Sequence, residues 1–100
     1  MSLRQGGVRD FKGLLGDNLA RCRKRAGLSQ EELSWRAGLH RTEISQLERG
    51  LRIARADTIL KLASALEVSV GDLFQGLVWQ PGDMRRGQFE LAGDEPTDES

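Results

Sequence analysis

Between positions 41 and 49 the chain reads Arg-Thr-Glu-Ile-Ser-Gln-Leu-Glu-Arg. Arg41, Thr42, Ser45 and Gln46 are of types that can read nucleobase edges. An arginine can grip guanine O6 and N7 with two donors, a glutamine can pair with adenine N6 and N7, and a threonine methyl can meet that of thymine. Each good bidentate pair discriminates between bases by about 1–3 kcal/mol. Such chemistry needs all the donors on one face. On a helix turning about 100° per residue, Ile44 and Leu47 define one side, and Thr42, Ser45, Gln46 and Arg49 fall on the other. Arg41 stands at the N-terminal end, the part that meets bases when a helix docks in a major groove. Glu43 lies to one side, where a solvated or intramolecular role is the simpler expectation. A polar face is ordinary on any exposed helix, so the assignment depends on the elements around it.

Those elements are well punctuated. Ser29-Gln30-Glu31-Glu32 has the form of a capping box, with Leu28 and Leu33 at the spacing of a hydrophobic staple. Gly38 is placed to stop that helix at Ala37 and turn the chain through a left-handed conformation. Leu39 and Ile44 repeat the staple on a second helix, with His40 as a weak cap, and Gly50 ends it. Two capped helices joined by so short a glycine turn form a helix-turn-helix. Gln30, at a helix N-terminus where free amides and the dipole favour an anion, is a candidate phosphate contact. Arg49, Arg52 and Arg55 bracket the following loop as candidate backbone anchors, and His40 caps, packs or reaches a phosphate.

The run Leu28–Gly50, with its LSQEEL, Ser34, Gly38, Ile44, Leu47 and closing Glu48-Arg49-Gly50, resembles the Cro and phage-repressor type of helix-turn-helix, the xenobiotic-response-element (XRE) family of small regulators. The likeness extends from about Leu15 to Phe74. It implies an all-α, five-helix, lambda-repressor-like DNA-binding domain. It also implies an ion pair between Arg23 and Glu48 joining the first and third helices, and a side-chain phosphate bond from Gln30. Family members usually carry a proline where this chain has Ala54, and a polar residue where it has Trp35.

The flanking sequence supplies the other helices. Phe11, Leu15, Leu19, Cys22 and Ala26 make one apolar stripe, predicting a helix over about 11–26 that Gly27 ends. Gly13 and Gly16 weaken its first turns. Cys22 on that stripe is expected in the core. Arg21, Lys24 and Arg25 are weaker candidates for phosphate contact. Ile59, Leu62, Ala63 and Leu66 predict a fourth helix, and Ser69-Val70-Gly71-Asp72 caps a short fifth.

Residues 1–10 are expected to be a flexible arm and 11–76 the DNA-binding domain. Over 77–92, alternation around Pro81-Gly82-Asp83 predicts a short β-hairpin-like extension with Leu77, Trp79, Phe89 and Leu91 on one face. An isolated hairpin is marginal in water, so that face is expected to meet its own domain or a second chain. With Trp35, which is expected beneath the tail or on a partner surface, these residues are the candidate dimer or partner surface. Residues 93–100 are acidic and lack large apolar groups, the composition of a disordered tail.

Bulk properties narrow the function. Formal net charge is zero, but residues 1–76 hold 13 Lys/Arg against 9 Asp/Glu and residues 77–100 hold 2 against 6. A DNA-binding surface needs a local positive footprint rather than a positive whole. No apolar run nears the roughly 18–20 residues of a membrane span, and no signal-peptide pattern opens the chain, so a cytoplasmic location is the default. One cysteine excludes an internal disulfide, and one histidine without partners at ligand spacing offers no metal site. No cofactor loop, nucleophile elbow or carboxylate pair suggests an enzyme. The expected function is sequence-specific transcriptional regulation, as a homodimer on a palindromic double-stranded DNA operator. A restriction-modification controller is a closely related alternative. An antitoxin that neutralises a protein partner through the C-terminal extension is a rival of another class.

Overall fold

The computed structural model describes residues 10–81 and 88–91. Residues 1–9, 82–87 and 92–100 lie outside them, and with them most of the expected arm, the expected turn residues Gly82 and Asp83, and the expected acidic tail. Five helices follow in order: α1 (Phe11–Arg25), α2 (Gln30–Ala37), α3 (Arg41–Glu48), α4 (Ala56–Leu66) and α5 (Val70–Leu73). Two strands, β1 (Leu77–Gln80) and β2 (Gln88–Leu91), pair antiparallel with Leu77 opposite Leu91 and Trp79 opposite Phe89. The register thus sets opposite one another the four residues that the alternation groups on one face.

Local chemistry sets the helix ends. Ser29 Oγ accepts from the Glu32 amide at 3.0 Å while Glu32 Oε1 accepts from the Ser29 amide at 2.8 Å. The same reciprocal box joins Ser69 and Asp72. Asp10 belongs to the domain rather than to an arm, since its carboxylate caps α1 by accepting from the Gly13 amide at 2.9 Å. His40 occupies the N-cap position of α3 but makes no side-chain cap bond, so the weak cap expected there is absent. Its backbone carbonyl still accepts the first helical bond, from Ile44. α4 ends on Glu67 in the left-handed region, at φ 58°, a conformation that sequence patterns ordinarily reserve for glycine.

The core gathers one stripe from each helix. Leu15, Leu19 and Cys22 of α1 meet Leu33 and Ala37 of α2, Ile44 and Leu47 of α3, Ile59, Leu62 and Leu66 of α4, and Leu73 of α5. α3 packs on α1 and α2, while α5 packs on α1 and α4. Two residues of α1 have roles that a count of apolar spacing misses. Gly16 faces the end of α3 so closely that an added Cβ would stand 2.4 Å from the Leu47 carbonyl oxygen and 2.7 Å from that of Glu48. Its lack of a side chain sets the crossing of α1 and α3, beyond any weakening of α1. Asn18, 2% exposed, donates from Nδ2 to the carbonyls of Leu73 at 2.8 Å and Gln75 at 3.1 Å, clipping α5 and the entry to β1 onto α1.

Candidate nucleic-acid interface

The turn between α2 and α3 positions the site. Gly38 adopts φ 70°, ψ 36°, and the amides of Gly38 and Leu39 both bond the Ser34 carbonyl. A backbone in that region favours glycine because a Cβ would be strained there. Ser34 is buried, and its hydroxyl donates to the Glu31 carbonyl at 2.6 Å.

On α3 the burial follows the expected wheel. Ile44 and Leu47 are buried, Arg41, Thr42 and Arg49 are exposed, and Ser45 and Gln46 are half-buried. The structure thus brings Arg41, Thr42, Ser45, Gln46 and Arg49 to the side of α3 away from the core. Among the described residues no carboxylate pairs with Arg41 or Arg49.

The far end of α3 is locked by charge. Arg23 donates from Nε to Glu48 Oε2 at 2.6 Å, from Nη2 to Glu48 Oε1 at 3.0 Å and from Nη1 to the Leu28 carbonyl at 2.8 Å. This two-pronged geometry is the strong form of a carboxylate–guanidinium contact. The Glu48 hydrogen bond and charge raise the Arg23 pKa above its ordinary value, outweighing the opposing effect of burial. Gln30 joins the network, with Nε2 donating to Glu48 Oε1 at 3.0 Å. A carboxylate can only accept, so the amide nitrogen must be the atom facing it. Gln30 was expected as a side-chain phosphate contact. Here one of its two N–H donors is already committed to Glu48, leaving the other and the helix-terminal amides for an anion.

Two more candidate phosphate contacts have protein partners. Arg52 Nη1 stands 3.6 Å from Glu43 Oε2, which gives Glu43 its intramolecular role, and Arg55 Nε stands 3.3 Å from Asp57 Oδ1. The Arg55 side chain is 83% exposed and that of Arg52 45%, and both pairs are longer than about 3.2 Å, the form of a weak surface pair. His40 is exposed beside Arg41.

The candidate partner surface divides. Trp35 is 70% exposed and so does not lie beneath the hairpin among the described residues. Leu77 is half-buried and Trp79 is 51% exposed. The side chains of Phe89 and Leu91 lie outside the described residues, so only their backbone register is fixed. The apolar residues Leu51, Ile53 and Leu60 are exposed as well, at 59%, 64% and 61%. Sequence reasoning overlooked all three. Leu51 and Ile53 alternate around Arg52 in the loop after α3, the one available signal.

Two capped helices, the second carrying an open polar face and an apolar back, define a helix-turn-helix DNA-binding domain. The chain is a member of the family described as Helix-turn-helix, whose model matches residues 19–73. An uncharacterised HTH-type transcriptional regulator of Sinorhizobium fredii is 45% identical over 60 residues, covering 60% of this chain and 78% of that protein. The control protein C.SmaI of Serratia marcescens is 41% identical over 75 residues, covering 73% and 89%. Among solved structures, the restriction-modification controller C.AhdI of Aeromonas hydrophila superimposes with a TM-score of 0.62 at 40% identity, covering 63% of this chain and 96% of that one.

Proposed function

We propose that this chain regulates transcription as a homodimer, each copy laying α3 in the major groove over one half of a palindromic operator. The observation that carries the reading is the open face of α3. Arg41 and Thr42 are exposed and Ser45 and Gln46 half-buried, while Ile44 and Leu47 hold the back of the helix to the core, an arrangement that supports base reading by these four. Arg41 and Gln46 supply bidentate readout, and Ser45 and Thr42 supplement it. Arg49, the α2 amides at Gln30 and, by displacement of their carboxylates, Arg52 and Arg55 hold phosphates, which fix register without reading sequence. Two copies would read half-sites about 34 Å apart on one side of the duplex.

Binding-site selection from random duplexes, followed by footprinting, tests this reading. Arg41→Ala is expected to relax preference at one position of each half-site by about 1–3 kcal/mol. Arg49→Ala is expected to weaken all sequences alike and to lower the salt slope by about 1. An unchanged ranking of operator variants with Arg41→Ala would remove that residue from base reading.

The relatives favour a narrower form of the same function. C.SmaI and C.BamHI are control proteins and C.AhdI is a restriction-modification controller. Their likeness supports a controller role here. Its mark would be a footprint ahead of a restriction gene, with reporter output that follows the amount of this protein.

A further inference from the structure

Arg21, Lys24 and Arg25 are exposed and stand three and four residues apart, so they share one face of α1. With Asp17 and Ala20 they line a single open depression. Arg21 Nη2 donates to the neutral Asn18 Oδ1 rather than to a carboxylate, and Asp17 is the one acidic residue lining the depression against these three cations. Among the described residues no carboxylate pairs with Lys24 or Arg25.

The chain passes close to this face as it leaves the domain. Asn18, one turn before Arg21, holds the Gln75 carbonyl, and β1 begins two residues later at Leu77. Leu77 pairs with Leu91, and β2 runs beside α1. The nine residues that follow Leu91 carry Asp94, Glu95, Asp98 and Glu99 and no cation. Nine extended residues reach about 30 Å, whereas Asn18 to Arg25 is only about 10 Å of helix. A single exposed ion pair adds at most about 1 kcal/mol. Tethering over so short a span sets an effective concentration on the order of millimolar, so several weak pairs can act together.

We propose that the acidic segment Asp94–Glu99 docks across the Arg21–Lys24–Arg25 face of its own α1 and keeps other polyanions off it. Docking by charge requires no fixed fold in the segment. Its consequence for duplex binding rests on the function proposed above: the segment suppresses non-specific contacts while leaving the α3 face open.

Carbodiimide cross-linking of the full chain tests the docking, because the lysines are Lys12, Lys24 and Lys61 alone. At low ionic strength Lys24 is expected to be joined to peptides containing residues 94–99 within monomeric chains, and about 0.5 M salt is expected to abolish the link by screening. Equal capture by Lys61, or links found only between chains, would overturn the proposal. A heparin column gives a second, independent measure. The variant Asp94→Asn, Glu95→Gln, Asp98→Asn, Glu99→Gln should elute later than the parent. That delay should vanish when Arg21, Lys24 and Arg25 are also changed to Gln; a delay of equal size in both backgrounds reflects net charge alone and refutes the shielding. With a non-cognate duplex, neutralising the segment is expected to tighten binding about 3- to 10-fold at low salt. If neither form binds any duplex, the function proposed above fails, while the cross-link and heparin results still decide the docking.

Discussion

Glu48 receives hydrogen bonds from Arg23 Nε, Arg23 Nη2 and Gln30 Nε2, with the Arg23 and Glu48 side chains only 12% and 7% exposed. Glu48→Ala strands the guanidinium away from water and is expected to cost about 3–5 kcal/mol, read as a shifted denaturant midpoint at unchanged slope. Arg23→Ala should add little once Glu48 is gone, since the two share one interaction. Glu32 titrates differently. Hydrogen bonding to the Ser29 amide, and then to its hydroxyl, holds the Glu32 carboxyl below its ordinary pKa. Its contribution is therefore full above the ordinary glutamate range and fades as pH falls through the lower folded value. Glu32→Gln should flatten the fall in stability below about pH 5, and an unchanged acid profile would deny the capping box that role. At this scale the sequence spoke unevenly. The capping boxes were legible because they are local, and the Arg23–Glu48 pair followed from family resemblance. The Gln30–Glu48 bond spans 18 residues, and no short-range pattern encodes it.

The crossing of α1 and α3 depends on Gly16. Alanine is the better helix former by about 1 kcal/mol, so exposed-helix reasoning predicts that Gly16→Ala stabilises. The Leu47 and Glu48 carbonyl oxygens would then lie 2.4 and 2.7 Å from the new Cβ, and backbone atoms cannot swing aside. A net loss of about 1–3 kcal/mol is expected, seen as a lower melting temperature. A higher one would mean that the helices separate without cost. Helix extents were otherwise readable, because Ser29, Gly38 and Ser69 end or begin elements through bonds within a few residues. The close approach at Gly16 was not, although Gly13 and Gly16 stand at one-turn spacing. Asn18 was equally silent, despite sitting on the apolar stripe between Leu15 and Cys22, where a buried amide must find partners.

For the whole molecule, the proposed dimer has two candidate contact surfaces. The sequence directed attention to the hairpin, whose longer alternation announces an apolar face, and away from Leu51, Ile53 and Leu60, where the alternation is confined to Leu51-Arg52-Ile53 in a loop and Leu60 stands alone on a helix surface. Sedimentation separates the two surfaces. If the hairpin holds the dimer, a chain ending at Gly76 is expected to be monomeric. A dimer that survives this truncation but is split by Leu60→Glu would place the contact beside α4 instead.

One carboxylate on α3 thus holds side chains from both α1 and α2. On the function proposed above, a reading helix so braced would leave adjustment to an imperfect site to the nucleic acid. Operators alike at every touched base pair should then rank by how readily their untouched steps bend.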